Sequence, residues 1–199
     1  MIHSKLFGIL VLVGIFVTSC GEKKKDVDAA EKLDEALSVE AYENSKEDSI
    51  QSAVDAIIDR EDFATLTKGL KSAELIETLD GKDSISLFAP TNDAFSKLPE
   101  GKVADLMQPA GKNTLISILK YHVVKGNHSL DDLKSQLNEN NGALELETLE
   151  GEVLKVSMEN DELLLTDPNG NTAKIVKSDI AASKDAIFGI DNVLKPDQL

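Results

Sequence analysis

Ser86-Leu87-Phe88-Ala89-Pro90-Thr91-Asn92-Asp93-Ala94-Phe95-Ser96-Lys97-Leu98-Pro99 is the stretch on which the reading of this chain turns. Ile85 to Ala89 is a short apolar run that reads as a strand, and Pro90 stops it by fixing φ and removing a backbone donor. Thr91 or Asn92 then supplies the side-chain oxygen that opens a helix, with Ala94, Phe95 and Leu98 on its apolar face. Pro99 and Gly101 end that helix.

Upstream of this stretch the chain is helical in pattern. Ile50, Ala53, Val54, Ile57 and Ile58 follow the i, i+3, i+4, i+7, i+8 spacing of one helix face behind a natural N-cap at Ser49. Phe63, Leu66, Leu70, Ala73, Leu75 and Ile76 continue it until the Gly81 region. Downstream, Leu115, Ile116, Ile118 and Leu119 write another helix, which runs into the β-branched pair Val123-Val124 before Gly126.

The period then changes from helical to alternating. Leu144 to Glu147, Leu154 to Met158, Leu163 to Leu165 and Ala173 to Val176 are short strands separated by turns at Glu150-Gly151, Asn160-Asp161 and Pro168-Asn169-Gly170, which together predict an antiparallel meander. A last strand is expected over Ala186 to Leu194. Helices followed by strands predict an α+β domain rather than a βαβ repeat with a parallel sheet.

Composition narrows the class. Of 199 residues, 21 are Lys or Arg against 36 Asp or Glu, a formal charge of -15 that repels a polyanion. No basic cluster with interleaved aromatics offsets that charge, so nucleic acid is not an expected partner. A hydrophobic content of 41% is compatible with a packed core. The one cysteine, Cys20, excludes an intrachain disulfide and a Cys-x-x-Cys site.

Cys20 has a different use. Lys5 and the apolar run Leu6 to Val17 form a secretory signal peptide over residues 1–19, too short for the ~20 apolar residues of a membrane span. Val17-Thr18-Ser19-Cys20 looks like a bacterial lipoprotein box, which implies cleavage before Cys20 and diacylation of its thiol, and therefore a membrane partner held through lipid. Gly21 follows where an Asp would retain many such proteins in the inner membrane, so an outer-membrane address is expected, on the cell surface or the periplasmic face. Residues 20–48, rich in both charges, read as a tether, and residues 49–199 as the folded domain.

Three boxes in order now resemble the fasciclin domain family: Ser86 to Pro99 its first signature box, Leu119-Lys120-Tyr121-His122-Val123-Val124 its Tyr-His segment, and Ile187 to Pro196 its C-terminal box. The resemblance covers about Ser49 to Pro196. It implies a wedge-shaped β-sandwich of about seven strands with several helices packed along one side. It also implies a non-enzymatic domain that mediates cell adhesion or matrix and biofilm interaction through its exposed surface. Phe188 and Gly189 depart from the family, which usually carries a His and a β-branched residue there.

The same resemblance makes Tyr121 and His122 the candidate binding residues, because the Tyr-His region has been implicated in integrin recognition in vertebrate members. The competing reading of His122, flanked by Leu119 and Val123, is a buried ring that holds backbone by hydrogen bonds. Pro90, Thr91, Asn92 and Phe95 are read as a structural motif. Asp167-Pro168-Asn169-Gly170-Asn171 resembles a calcium loop but lacks the Gly and Glu that such loops carry at positions six and twelve, where Thr172 and Ser178 stand, so a hairpin turn is expected. Asn127-His128-Ser129 fits a glycosylation acceptor, which carries little weight behind a lipoprotein box. Nucleophile-elbow, zinc-protease and nucleotide-loop motifs are missing, and no catalytic residue, metal or cofactor is expected. The partner is expected to be a protein or polysaccharide, with an envelope scaffold as the alternative function and a small-ligand carrier or enzyme as the third.

Overall fold

The computed structural model describes residues 52–81, 83–178, 180, 182 and 184–197. The leader, Cys20, the tether and the expected Ser49 cap lie outside them. In chain order the elements are α1 (Ala53–Ile58), α2 (Ala64–Ser72), α3 (Ile76–Leu79), β1 (Ile85–Pro90), α4 (Asn92–Ser96), α5 (Lys102–Leu106), α6 (Lys112–Tyr121), β2 (Val123–Lys125), α7 (Leu130–Glu139), β3 (Ala143–Glu147), β4 (Val153–Glu159), β5 (Glu162–Thr166), β6 (Thr172–Lys177) and β7 (Ala186–Ile190). Within the described residues α1 is capped by Ser52, whose hydroxyl accepts from the Asp55 amide at 3.2 Å.

The strands form one sheet in the order β2-β1-β7-β6-β5-β4-β3. Its two ends meet through a single bridge between Val124 and Thr148, which makes the sheet nearly barrel-like. β3 to β6 are the antiparallel meander read from the alternation, with left-handed Asn160 and Asp161 turning β4 into β5. The sheet is nevertheless mixed, because β1 and β7 pair in parallel, with Phe88 opposite Phe188. Local patterning carried no signal for that long-range pairing. α5 and α7 also went unread. α7 buries only Leu133 and Leu137 on a mostly polar helix, and it is opened by a reciprocal Ser129–Asp132 capping box.

Two cores result. Ile85, Leu87 and Ala89 of β1 face the helical layer with Phe63, Leu66, Leu70, Leu115 and Leu119. Phe88, Phe188 and Ile190 face Leu154, Val156, Leu163, Leu165 and the apolar side of α7. β1 is therefore buried on both faces and reads as a continuous apolar run instead of an alternating one. Pro90 closes the strand rather than following it, and this is tolerated because β2 ends opposite Leu87 and has no acceptor left for a Pro90 donor. β7 stops at Ile190, four residues short of the expected Leu194, where the chain turns at Asp191-Asn192 and leaves the ladder.

Candidate functional site

The Tyr-His segment closes α6. His122 is the C-cap residue of that helix, and its Nδ1 lies 2.8 Å from the Ile118 carbonyl oxygen, which makes it the proton-bearing donor. Nε2 is then an acceptor and receives the Leu194 amide at 3.2 Å. Both nitrogens are used on backbone, and the ring is 1% exposed. Burial pushes the imidazole pKa down from 6.5 to about 4, against the opposing pull of the Ile118 hydrogen bond and the Asp167 charge.

Tyr121 packs edge-on against that ring with centroids 6.4 Å apart, and its hydroxyl donates to the Val153 carbonyl at 3.0 Å. Burial first, then the charges of Asp167 and Glu152, push the phenol pKa up. The structure brings the two inherited binding candidates together, but in the interior. Both rings are buried, and neither presents a face to a partner.

Phe188, standing where the family usually carries His, stacks on Phe88 with centroids 5.3 Å apart. Gly189 has a steric reason. A Cβ there would sit 2.9 Å from Lys177 Cβ and 3.3 Å from Phe63 Cζ, beside the point where the β6–β7 register shifts.

Two buried carboxylates belong to the same framework. Asp167 accepts from the Asn171 amide at 2.8 Å and the Lys195 amide at 3.0 Å, so the suspected calcium loop is a turn whose carboxylate is already satisfied by donors of the chain. Among the described residues no group of three or more His, Cys, Asp or Glu side chains could hold a metal ion. Asp185 accepts from the Ala53 amide at 2.6 Å and the Ile85 amide at 2.9 Å, pinning α1 to β1. Sequence reasoning passed over Asp185, since an acidic residue beside a strand ordinarily faces water and nothing local marks this one as buried.

The Ala-Pro-Thr box is buried as well, and the chain reaches solvent just after it, at Asn92 and Asp93. Thr91 Oγ1 caps α4 by accepting from the Ala94 amide at 3.2 Å. The Asn92 side chain accepts from the Thr65 amide at 3.0 Å and donates to the Glu61 carbonyl at 2.6 Å, locking α4 to the turn before α2. Phe95 is buried beneath. Above Asn92 opens a shallow cleft of about 500 Å³, framed by the ion pairs Lys177–Asp62 and Lys97–Asp191. Burial works to raise the Asp191 carboxyl, but the Lys174 amide and the Lys97 ammonium together bring it below its ordinary range. Val176, displaced at the β6–β7 register shift, projects into this cleft at 53% exposure. The described aromatic residues Phe63, Phe88, Phe95, Tyr121 and Phe188 are all buried.

Comparison with known proteins places these features in a lineage. The sequence model of the fasciclin domain matches residues 61–196. The chain is 34% identical over 149 residues to protein sll1483 of Synechocystis, covering 75% of this chain and 76% of that one. It is 31% identical to human periostin, with 75% of this chain matched but only 16% of periostin. To the cell surface glycolipoprotein MPB83 of Mycobacterium bovis it is 33% identical, over 67% of this chain and 56% of that one. Of periostin the chain thus spans only a minor part. The FAS1 domain pair of the insect cell adhesion molecule Fasciclin I superimposes with a TM-score of 0.63 at 16% identity, covering 74% of this chain and 52% of that one, and shares the fold.

Proposed function

This chain belongs to the fasciclin domain family, and on that premise we propose that it is a membrane-anchored surface lipoprotein whose domain binds a partner for adhesion, or for matrix or biofilm interaction. Acyl chains on Cys20 hold it to the outer membrane and residues 20–48 lift the domain away. The observation that carries the reading is the Asn92 cleft, where one projecting aliphatic side chain, Val176, stands inside a rim of paired charges. An apolar centre with a polar rim is the anatomy of a protein-binding patch. Among the described residues no aromatic ring is free to stack on a sugar, which favours a protein over a polysaccharide. A patch this small binds weakly per copy, and many copies on one envelope supply the avidity.

Tyr121 and His122 serve this reading from inside. They fix the Val153 carbonyl and the C-terminal segment, so their part in recognition runs through the backbone they position.

The test is protease shaving of intact and lysed cells, with Cys20→Ala alongside. Digestion of the domain on intact cells, together with loss of the Cys20→Ala protein from the membrane fraction, supports the reading. Protection until lysis makes the domain a periplasm-facing envelope scaffold. A Cys20→Ala protein that stays on the membrane removes the lipid anchor from the account.

A further inference from the structure

We infer that Val193–Asp197 is a strap that acid releases as a unit before the domain unfolds, uncovering His122. After β7 the chain is no longer held by a ladder, and its amides go to side chains. Val193 N donates to Asn192 Oδ1 at 3.0 Å, Leu194 N to His122 Nε2 at 3.2 Å, Lys195 N to Asp167 Oδ2 at 3.0 Å and Asp197 N to Glu152 Oε2 at 2.8 Å. Pro196 has no amide hydrogen to place. The carbonyls of Lys195 and Pro196 meet only Asn169 Nδ2, at 3.5 and 3.4 Å, which is long for a hydrogen bond.

Three of these four acceptors lie outside the segment: His122 just after α6, Asp167 after β5 and Glu152 before β4. They come from three separate parts of the fold and converge on one five-residue segment. A backbone ladder is indifferent to mild acid, whereas this arrangement is not. Protonated at Nε2, His122 becomes a donor facing the Leu194 donor.

The charged and titratable surroundings oppose this only in part. Asp167 favours the imidazolium, and Tyr121 stays neutral between Asp167 and Glu152. Lys155 and Asp197 stand with Glu152 at the rim. Val193 and Leu194 are buried in the two cores and keep the strap closed at neutral pH. Lifting it opens the solvent route to His122, whose pKa then returns toward 6.5 from about 4. Linkage therefore raises the open-to-closed ratio as pH falls through that window, by up to ~300-fold. Such a segment is a local unfolding unit distinct from the β1–β7 centre of the sheet.

The inference stands apart from what the surface binds, and its test needs no ligand. Hydrogen exchange of the full-length protein in detergent is followed from pH 7 to pH 4.5 and corrected for intrinsic rates, comparing the C-terminal peptide with β1 and β7. The expected result is progressive loss of protection at Leu194, Lys195 and Asp197 while β1 and β7 keep theirs. His122→Asn, which removes the Leu194 acceptor, should leave the strap poorly protected already at pH 7 and flatten its pH dependence. Strap amides that match β7 at every pH, or lose protection only when β7 does, overturn the inference. That comparison is decided in the unmutated protein, so it holds even where the variant does not fold.

Discussion

The Tyr121–His122 region and the Asn92–Val176 cleft sit beside two of the boxes that mark this family, and they meet water in opposite ways. In the first, rings and carboxylates are buried and their polar atoms are matched to backbone groups. In the second, Asn92 and Thr91 bond inward while two ion pairs and one bulged Val face solvent. The difference teaches that a motif legible in sequence can be an interior joint or the floor of a surface, and that burial separates the two. Changes to buried groups, the Thr91 cap included, should therefore reach stability, and changes to the exposed side chains of the cleft should reach binding alone.

The largest effect is expected at Asp185, which belongs to the interior network although it lies outside the boxes. Asp185→Ala strands the Ala53 and Ile85 amides in the interior and should cost about 3 kcal/mol, read as a lowered urea midpoint at unchanged m-value. A cost near zero would break the division between the two regions.

His122 predicts a pH dependence of the same order. Its folded pKa of about 4 lies below the unfolded 6.5, so the unfolded chain binds more protons between those values. Stability is full above about pH 6.5 and falls toward pH 4, by up to ~3 kcal/mol. Urea titrations across that window should show a shallower slope in His122→Asn than in the unmutated protein, the difference isolating this group from the carboxylates.

Gly189→Val restores the β-branched type usual in the family and sharpens the contrast at the β6–β7 irregularity. Its side chain would collide with Lys177 and Phe63, with an expected cost of ~1–3 kcal/mol in thermal or chemical unfolding. Thr91→Ala removes the cap of α4 and should cost about 1 kcal/mol.

Val176→Glu should leave the unfolding midpoint nearly unchanged, because the side chain is already half in water. Under the proposed function it should nonetheless abolish cell-surface binding in an adhesion assay. Retained adhesion would move the contact surface elsewhere on the domain.

Much of the fold was legible because its signals are local. Alternation and turn residues wrote β3 to β6, and the Pro90-Thr91 stop and cap placed β1 against α4. α7 escaped because Leu130, Leu133 and Leu137 are its only apolar residues, and Ser129, which opens it with Asp132, drew notice only as the end of the Asn127-His128-Ser129 acceptor pattern. At the candidate sites the residue types were visible, but not their exposure. His122 between Leu119 and Val123 was compatible with a ligand-binding ring or a buried one, and the ring's environment depends on Leu194, 72 residues away.

By itself the chain determined most of its order of helices and strands and its family boxes, since each depends on neighbours within a few turns, and its composition determined its acidity. The tertiary structure alone decided the parallel β1–β7 pairing, the clamp of Asp185 on Ala53 and Ile85, and the register shift between β6 and β7 at Val176. It also decided the hold of His122, Asp167 and Glu152 on the C-terminal strap. These are matches between groups far apart in sequence, where burial and the need to satisfy each buried polar atom select the partner.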